Sequence, residues 1–308
     1  MSLMRSVLLR GSRSTRLREL LPRFRFVRRA VGRFMPGEEI SDALTAAETL
    51  RTNGIASVVT HLGENLSEAA EANEVAGRYL TALKLIRQRE LDCQISVKLT
   101  QLGLDLGGEL CCEHLAALLR RARELGNFVW IDMESSPYVD KTLDIYRRAR
   151  EEFPNVGVCL QAYLYRTAAD IEALLPLGPS IRLVKGTYAE PADVAFRSKR
   201  DVDRNYFNLS KRLLRSHAQL PRIAVATHDR VLLRSIDQFA LREGIARDSY
   251  EIQMLYGIQR ESQLQFRRDG FRVRILISYG TFWFPWYMRR LAERPANVLF
   301  VLRNLVSR

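Results

Sequence analysis

The fold class this sequence predicts is α/β, and specifically a (β/α)8 barrel. Three observations predict it. Eight short apolar runs recur along the chain, they begin some 20 to 45 residues apart, and each interval is long enough for a helix. The runs are "ASVVTHLG" (56–63), "QISVKLT" (94–100), "NFVWIDM" (127–133), "VGVCLQ" (156–161), "SIRLVKG" (180–186), "IAVATHD" (223–229), "YEIQMLYG" (250–257) and "FRVRILIS" (271–278). Each is rich in β-branched residues and mostly apolar, as strands buried on both faces are. A doubly wound open sheet is the competing arrangement. It normally carries a glycine-rich phosphate turn after an early strand, and neither G-x-G-x-x-G nor G-x-x-x-x-G-K-[ST] occurs here.

Ahead of the first run, "GEEISDALTAAETLRTNG" predicts a helix. Ser41 offers a cap, alanines and leucines fill one side, and Gly54 stops it. No low-complexity linker divides the chain beyond that helix. The expected organisation is a basic, helical N-terminal segment (1–35) and a single barrel domain (36–308).

The 308 residues suffice for a large core, and 47% hydrophobic with 27% charged residues is a soluble globular composition. No run approaches the roughly 20 apolar residues that a membrane-spanning helix needs. The formal charge of +13 is unevenly spread. Ten arginines against one acid, Glu19, place +9 of it in the first 35 residues. With Leu8, Leu9, Leu17, Leu20, Leu21, Phe24, Phe26 and Val27 interspersed, that segment suits an anionic membrane surface. It also has the look of an Arg-rich transit peptide, though not of a secretory signal, because arginines interrupt its apolar stretches. The alternative is a solvated basic helix packed on the base of the domain. Nucleic acid is disfavoured as a partner, since aromatic residues do not interleave with the basic ones and no binding motif accompanies them. Cys93, Cys111, Cys112 and Cys159 form no C-x-x-C pair and read as small buried hydrophobes in a reducing compartment. The expected location is cytoplasmic, with the inner face of the membrane available to the basic segment.

In a (β/α)8 barrel the chemistry sits at the C-terminal ends of the strands. Lys98, Asp132 with Glu134, Gln161, Arg182 with Lys185, Thr227 with His228, and Gln253 all fall there. Charges are costly to bury unless they are paired or bind a ligand, so this concentration predicts a site. Each residue also has a plainer role open to it. Lys98 and Asp132 can form a salt bridge that only closes the barrel, His228 can be a core histidine, and Gln161 can bond nearby backbone. Lys185 can be a Schiff-base lysine of an aldolase-like enzyme. A metal is disfavoured, because no second histidine or cysteine joins His228 at a strand end. Arg182 and Lys185 differ in strand parity, so both reach the lumen only if the strand ends or bulges between them. Gly186 permits that.

At "RLVKGTYAEP" (182–191) the chain resembles the proline dehydrogenases, both the monofunctional bacterial type and the dehydrogenase domain of proline utilization A. "SVKLTQLGLD" (96–105), "IDMESS" (131–136), "LQAYLYRT" (160–167), "ATHD" (226–229), "QMLYG" (253–257) and "RRLAERPAN" (289–297) fit in the family's order, so the resemblance covers nearly all of 36–308. It implies a distorted, TIM-like barrel that holds FAD without a Rossmann domain. The reaction implied is oxidation of L-proline to Δ1-pyrroline-5-carboxylate, with hydride passing from proline C5 to flavin N5 and electrons going on to a membrane quinone. Arg289 and Arg290 match the arginine pair that holds the proline carboxylate, and Glu293 matches their acidic partner. Lys98 matches the substrate-pocket lysine, Asp132 the aspartate beside it, and Arg182 the arginine near flavin N5. Gln161, Lys185, Gly186, Thr187, Thr227 and His228 match flavin-contacting positions, and Met133 lies beside the flavin ring. Leu183, Tyr188 and Leu255 match residues of the apolar pocket wall.

The arginine pair also makes physical sense on its own. Guanidinium binds carboxylate through two parallel hydrogen bonds. Glu293 lies four residues from Arg289 and three from Arg290, on one helix face. One departure stands out. The family's last strand usually reads R-[VI]-Y-[VA]-P-[YV]-G, and here it is "RILISYG" (274–280). Leu276 replaces the tyrosine that borders the substrate ring, and Ser278 replaces the proline. Leucine keeps bulk but loses the hydroxyl and the aromatic face. That opens 4-hydroxyproline or another cyclic imino acid as an alternative substrate. A non-catalytic membrane-surface protein built on the basic segment is the reading that lies outside enzymes.

Overall fold

The structure is a computed structural model and describes residues 31–63, 66–284 and 287. Eight parallel strands close into a barrel in sequence order. They are β1 (Ala56–His61), β2 (Cys93–Val97), β3 (Val129–Ile131), β4 (Val156–Gln161), β5 (Ile181–Val184), β6 (Ile223–Ala226), β7 (Glu251–Leu255) and β8 (Arg272–Tyr279). Every predicted run coincides with one of them. The helices are α1 (Ile40–Arg51), α2 (Ala69–Gln88), α3 (Gly108–Glu124), α4 (Val139–Glu152), α5 (Thr167–Leu174), α6 (Lys199–Arg215), α7 (Arg230–Arg242) and α8 (Arg260–Arg268). α1 precedes β1, and each of the others links two consecutive strands. Closure is made by β8 on β1, in a register that runs from Ala56 opposite Arg274 to His61 opposite Tyr279.

α1 starts earlier than its sequence suggested. Glu39, not Ser41, is the N-cap, and its backbone N–H donates to the Asp42 carboxylate at 3.2 Å. Ser41 lies inside the first turn. Gly54 does end the unit, at φ +67°.

Strand alternation sorts the core into two layers. Outward-facing Ile95, Ile131, Val158, Leu183, Val225, Ile252 and Ile275 pack under the helices in one large apolar cluster. The lumen is different. Val58, Phe128, Trp130 and Ala224 fill it with Leu276 against them, and polar residues occupy the remaining inward positions. Gly157 on β4 is required by this filling, because a Cβ there would stand 2.6 Å from the Trp130 ring. Near the base, Arg274 is fully buried between Glu251 (3.0 Å), Asp92 (2.9 Å) and the Ser57 carbonyl (2.8 Å). Arg222 covers Phe128 at 4.6 Å and closes the bottom. Burial, reinforced by the nearby Arg274 charge, lowers the Arg222 guanidinium from its ordinary range.

Residues 1–30 lie outside the described residues, and so the expected N-terminal helix and the division at residue 35 do so in large part. Val31, Phe34 and Met35 are buried. The Arg33 carbonyl occupies the space beside Gly257, where a Cβ would come within 1.7 Å of it. Gly257 lies just past β7, at the C-terminal rim. Trp283 donates to Glu38 at 3.0 Å from the same side. The described end of the basic segment therefore sits at the mouth of the barrel. Packing on the base, the alternative that composition left open, does not hold for these residues. Among the described residues no helix is long and apolar enough to cross a membrane, and no group of three His, Cys, Asp or Glu side chains is arranged to hold a metal ion.

Candidate active site

Just above the Trp130 layer the lumen opens into a cavity of about 410 Å³ at the C-terminal ends of the strands. This lies within the range of small-molecule sites. Residues of opposite strand ends meet there because each continues the inward parity of its strand. Lys98 follows Ser96, Asp132 follows Trp130, Leu255 follows Gln253, and Ser278 follows Leu276. Twelve residues that matched the family's site line this one cavity, together with Leu276 at the position where the chain departs from the family. The twelve are Lys98, Asp132, Met133, Gln161, Arg182, Lys185, Gly186, Thr187, Tyr188, Thr227, His228 and Leu255. Leu183, expected in the pocket wall, is not among them: parity turns it outward from β5 into the layer beneath the helices. Arg289, Arg290 and Glu293 lie outside the described residues.

Arg182 is the charged centre of the floor and is 2% exposed. Its Nη2 donates to the Asp132 carboxylate and, at 2.6 Å, to Ser96 Oγ, while its Nη1 faces Gln253 Oε1 at 3.4 Å. The Ser96 hydroxyl in turn donates to Asp132 Oδ1 at 3.0 Å. The Lys98–Asp132 salt bridge that the sequence left open is not formed: Asp132 pairs with Arg182. Lys98 faces the cavity, and among the described residues it has no ion-pair partner.

The parity conflict between Arg182 and Lys185 is resolved by the end of β5 at Val184. Lys185 opens the following loop and donates to Asp203 and, at 2.9 Å, to Asp229. Two carboxylates hold its Nζ by hydrogen bonds, so it is not an amine free to attack a carbonyl, and the aldolase-like reading loses its support. Burial pushes the Asp229 carboxyl up. The hydrogen bonds from Lys185 and from the Leu232 amide, with the Lys185 charge, outweigh burial and hold it at about 2. The same carboxylate caps α7 through that amide, at 3.2 Å. Gly186 comes next at φ +108°, and a Cβ there would stand 2.2 Å from the Tyr163 ring. Only glycine lets the loop lie so close.

The rest of the rim is tied to backbone. Gln161 Nε2 donates to the Met133 carbonyl (3.0 Å) and the Glu134 carbonyl (3.2 Å), as its plainer role expected. Its Oε1, however, is buried and has no hydrogen-bond partner among the described residues. Glu134 turns away from the cavity to take the Thr100 amide (3.1 Å) and hydroxyl (2.7 Å). His228 Nε2 accepts the Leu255 amide at 2.9 Å, which fixes that nitrogen as the acceptor. Thr227 Oγ1 accepts from the Asp229 amide at 3.2 Å. Tyr279 points to the outer layer and stacks edge-on against His61, with 5.3 Å between ring centroids, so it does not stand in for the absent tyrosine at position 276.

Known proteins resemble this chain. The family model for proline dehydrogenase matches residues 43–303. Proline dehydrogenase 1 of Bacillus subtilis (strain 168) is 41% identical over 276 residues, which is 90% of either chain. The chain belongs to the proline dehydrogenase family. Proline dehydrogenase of Deinococcus radiodurans is 37% identical over 281 residues, 89% of each chain. Among solved structures, proline utilization A from Bdellovibrio bacteriovorus superposes with a TM-score of 0.80 at 24% identity, over 87% of this chain and 33% of that one. That match shows the barrel fold alone, since this chain spans about a third of the larger protein.

The sequence alone assigned no role to Ser96, Trp130 or Glu190. The first two have a simple signal, shared with Gln253: each lies two residues before a cavity residue on the same strand face. Glu190 falls within the run 182–191, but its position along the chain gives no sign of its partners. Its carboxylate accepts from the Ser136 amide (2.8 Å), the Ser136 hydroxyl and the Tyr163 hydroxyl (3.2 Å), and so joins the loop after β5 to the loop after β3.

Proposed function

We propose that the protein is an FAD-dependent oxidoreductase that converts L-proline to Δ1-pyrroline-5-carboxylate in proline catabolism, with a membrane quinone as final electron acceptor. The observation that carries this reading is the convergence of twelve family-matched positions on one cavity. FAD fits the residues present on a separate ground. Among the described residues Gln161 Oε1 is a buried acceptor without a partner, on a residue that lines the cavity. Met133, Gln161, Lys185, Gly186, Thr187, Thr227 and His228 are assigned to holding it. FAD supplies, when bound, the acceptor for hydride from proline C5.

The remaining work belongs to side chains. Arg289 and Arg290 are assigned to the substrate carboxylate through paired hydrogen bonds, with Glu293 holding them when substrate is absent. Lys98 presents a cation to the cavity with no competing anion among the described residues, which suits the same carboxylate. Asp132 lies near the expected amine. That nitrogen must be neutral for its lone pair to assist C–H cleavage, and the balance of Asp132 and Lys98 sets its protonation. Arg182 places fixed positive charge where negative charge develops on reduction. Tyr188, Leu255 and Leu276 supply wall that excludes water from the ring. The Arg-rich segment, whose described end packs at the cavity mouth, is assigned to an anionic membrane surface on the cytoplasmic side.

The test is direct. Purified protein should show flavin absorbance, and anaerobic L-proline should bleach it. Flavin indifferent to L-proline and to hydroxyprolines removes the proposed reaction. Absence of flavin after incubation with FAD removes the cofactor. Arg290→Met is expected to raise KM for proline sharply while FAD stays bound.

A further inference from the structure

Trp130 has no part in the chemistry just proposed, yet the lumen is built around it. It lies two residues before Asp132 on the inward face of β3 and is 1% exposed. Gln94 Oε1 accepts its indole N–H at 2.7 Å and so fixes the direction of the ring. Gly157 on the neighbouring strand leaves the space the ring occupies. The ring's face stands 5.0 Å from Arg182 Cζ.

Arg182 donates to Asp132, Ser96 and Gln253, and Cys159 and Ala224 stand opposite it on the neighbouring strands. Gln253 leads further down the lumen, because its Nε2 donates to Glu251 at 2.8 Å. Glu251, although already paired with Arg274 at 3.0 Å, is a buried carboxylate that can also draw the Arg182 guanidinium downward. The indole occupies the lumen beside that path and offers the cation an attractive face. We propose that Trp130 is a positioning residue: it holds the Arg182 guanidinium at the cavity floor, at the height where its charge reaches the cofactor. The inference rests on the proposed role of Arg182.

The test is a cycle in the full-length holoenzyme with Trp130→Leu, Arg182→Met and the double variant. Two readouts are needed, kcat for proline and the midpoint potential of the bound flavin. Trp130→Leu should lower kcat about tenfold and move the potential in the negative direction, as Arg182→Met does. In the Arg182→Met background, Trp130→Leu should add little to either. Trp130→Phe, which keeps a ring face, should recover most of the loss. Multiplicative effects on kcat, with separate shifts in potential, would overturn the inference. An Arg182→Met enzyme with unchanged kcat and potential would instead remove the role of Arg182 itself, and this inference with it. Should Trp130→Leu not fold, Gln94→Leu carries the test, since it frees the ring without deleting it. A severalfold fall in kcat with a potential shifted the same way supports the inference, and no change in either overturns it.

Discussion

Leu276 faces the cavity from β8 and packs against the Val58, Phe128 and Trp130 layer beneath it. The family's tyrosine at this place would reach further into the opening. Restoring it by Leu276→Tyr is expected to lower the kcat/KM ratio of 4-hydroxyproline over L-proline by about tenfold, within the roughly 1–3 kcal/mol that one pocket wall can discriminate. Steady-state kinetics with both substrates checks this. His61, one residue past the inward Thr60, shows the opposite situation, a titratable group the barrel keeps neutral. Burial, then the charges of Arg78 and Lys98, lower its imidazole from 6.5 to about 4. The unfolded chain therefore takes up a proton between those values that the folded chain refuses. Stability is fully present above pH 6.5 and is lost as pH falls towards 4, by on the order of 2–3 kcal/mol. Urea midpoints at pH 5 and 7 should differ less in His61→Phe than in the wild type.

At the scale of elements, the loop between β5 and α6 carries Lys185, Gly186, Thr187 and Tyr188 into the cavity. It is anchored at two points. Lys185 pairs with α6 through Asp203 and with the N-cap of α7 through Asp229. Glu190 clasps Ser136 and Tyr163. Burial, and then the Glu190 charge, push the Tyr163 phenol up, so it remains a donor to that carboxylate. Glu190→Gln replaces a charged acceptor of several hydrogen bonds with a neutral amide. Each such bond is worth about 1.5–3 kcal/mol. FAD affinity, measured as flavin retained after ultrafiltration, is expected to fall about tenfold. Retention equal to wild type would show that the loop keeps its shape without the clasp.

For the whole molecule, the lumen has a polar axis from rim to base: Asp132, Arg182, Gln253, Glu251, Arg274 and Asp92. Opposite charges alternate along it, so each buried ion has a partner. Removing one end of the lower pair leaves an uncompensated charge. Arg274→Met is expected to destabilise the barrel by about 3–5 kcal/mol, and adding Glu251→Gln should return part of that. Equilibrium urea unfolding of the two variants and the wild type measures both.

The strand order and the cavity-lining residues were legible in the sequence. Apolar runs at regular intervals specify buried parallel strands, and an end-of-strand residue is placed on the lumen by parity alone. Twelve residues of the cavity lining came from motifs on those ends, and Leu276 from the one departure. The partners were not legible. Asp132 chose Arg182 over Lys98, and Lys185 turned to Asp203 and Asp229, because barrel closure and shear decide which side chains of distant strands stand at one height. Glu190, Trp130 and the placement of residues 31–35 at the mouth depend on the same three-dimensional juxtaposition. The sequence by itself determined the fold class, the face each strand residue occupies and the family. Only the tertiary structure decided which charges neutralise one another, because pairing depends on distances across the barrel that no local pattern encodes.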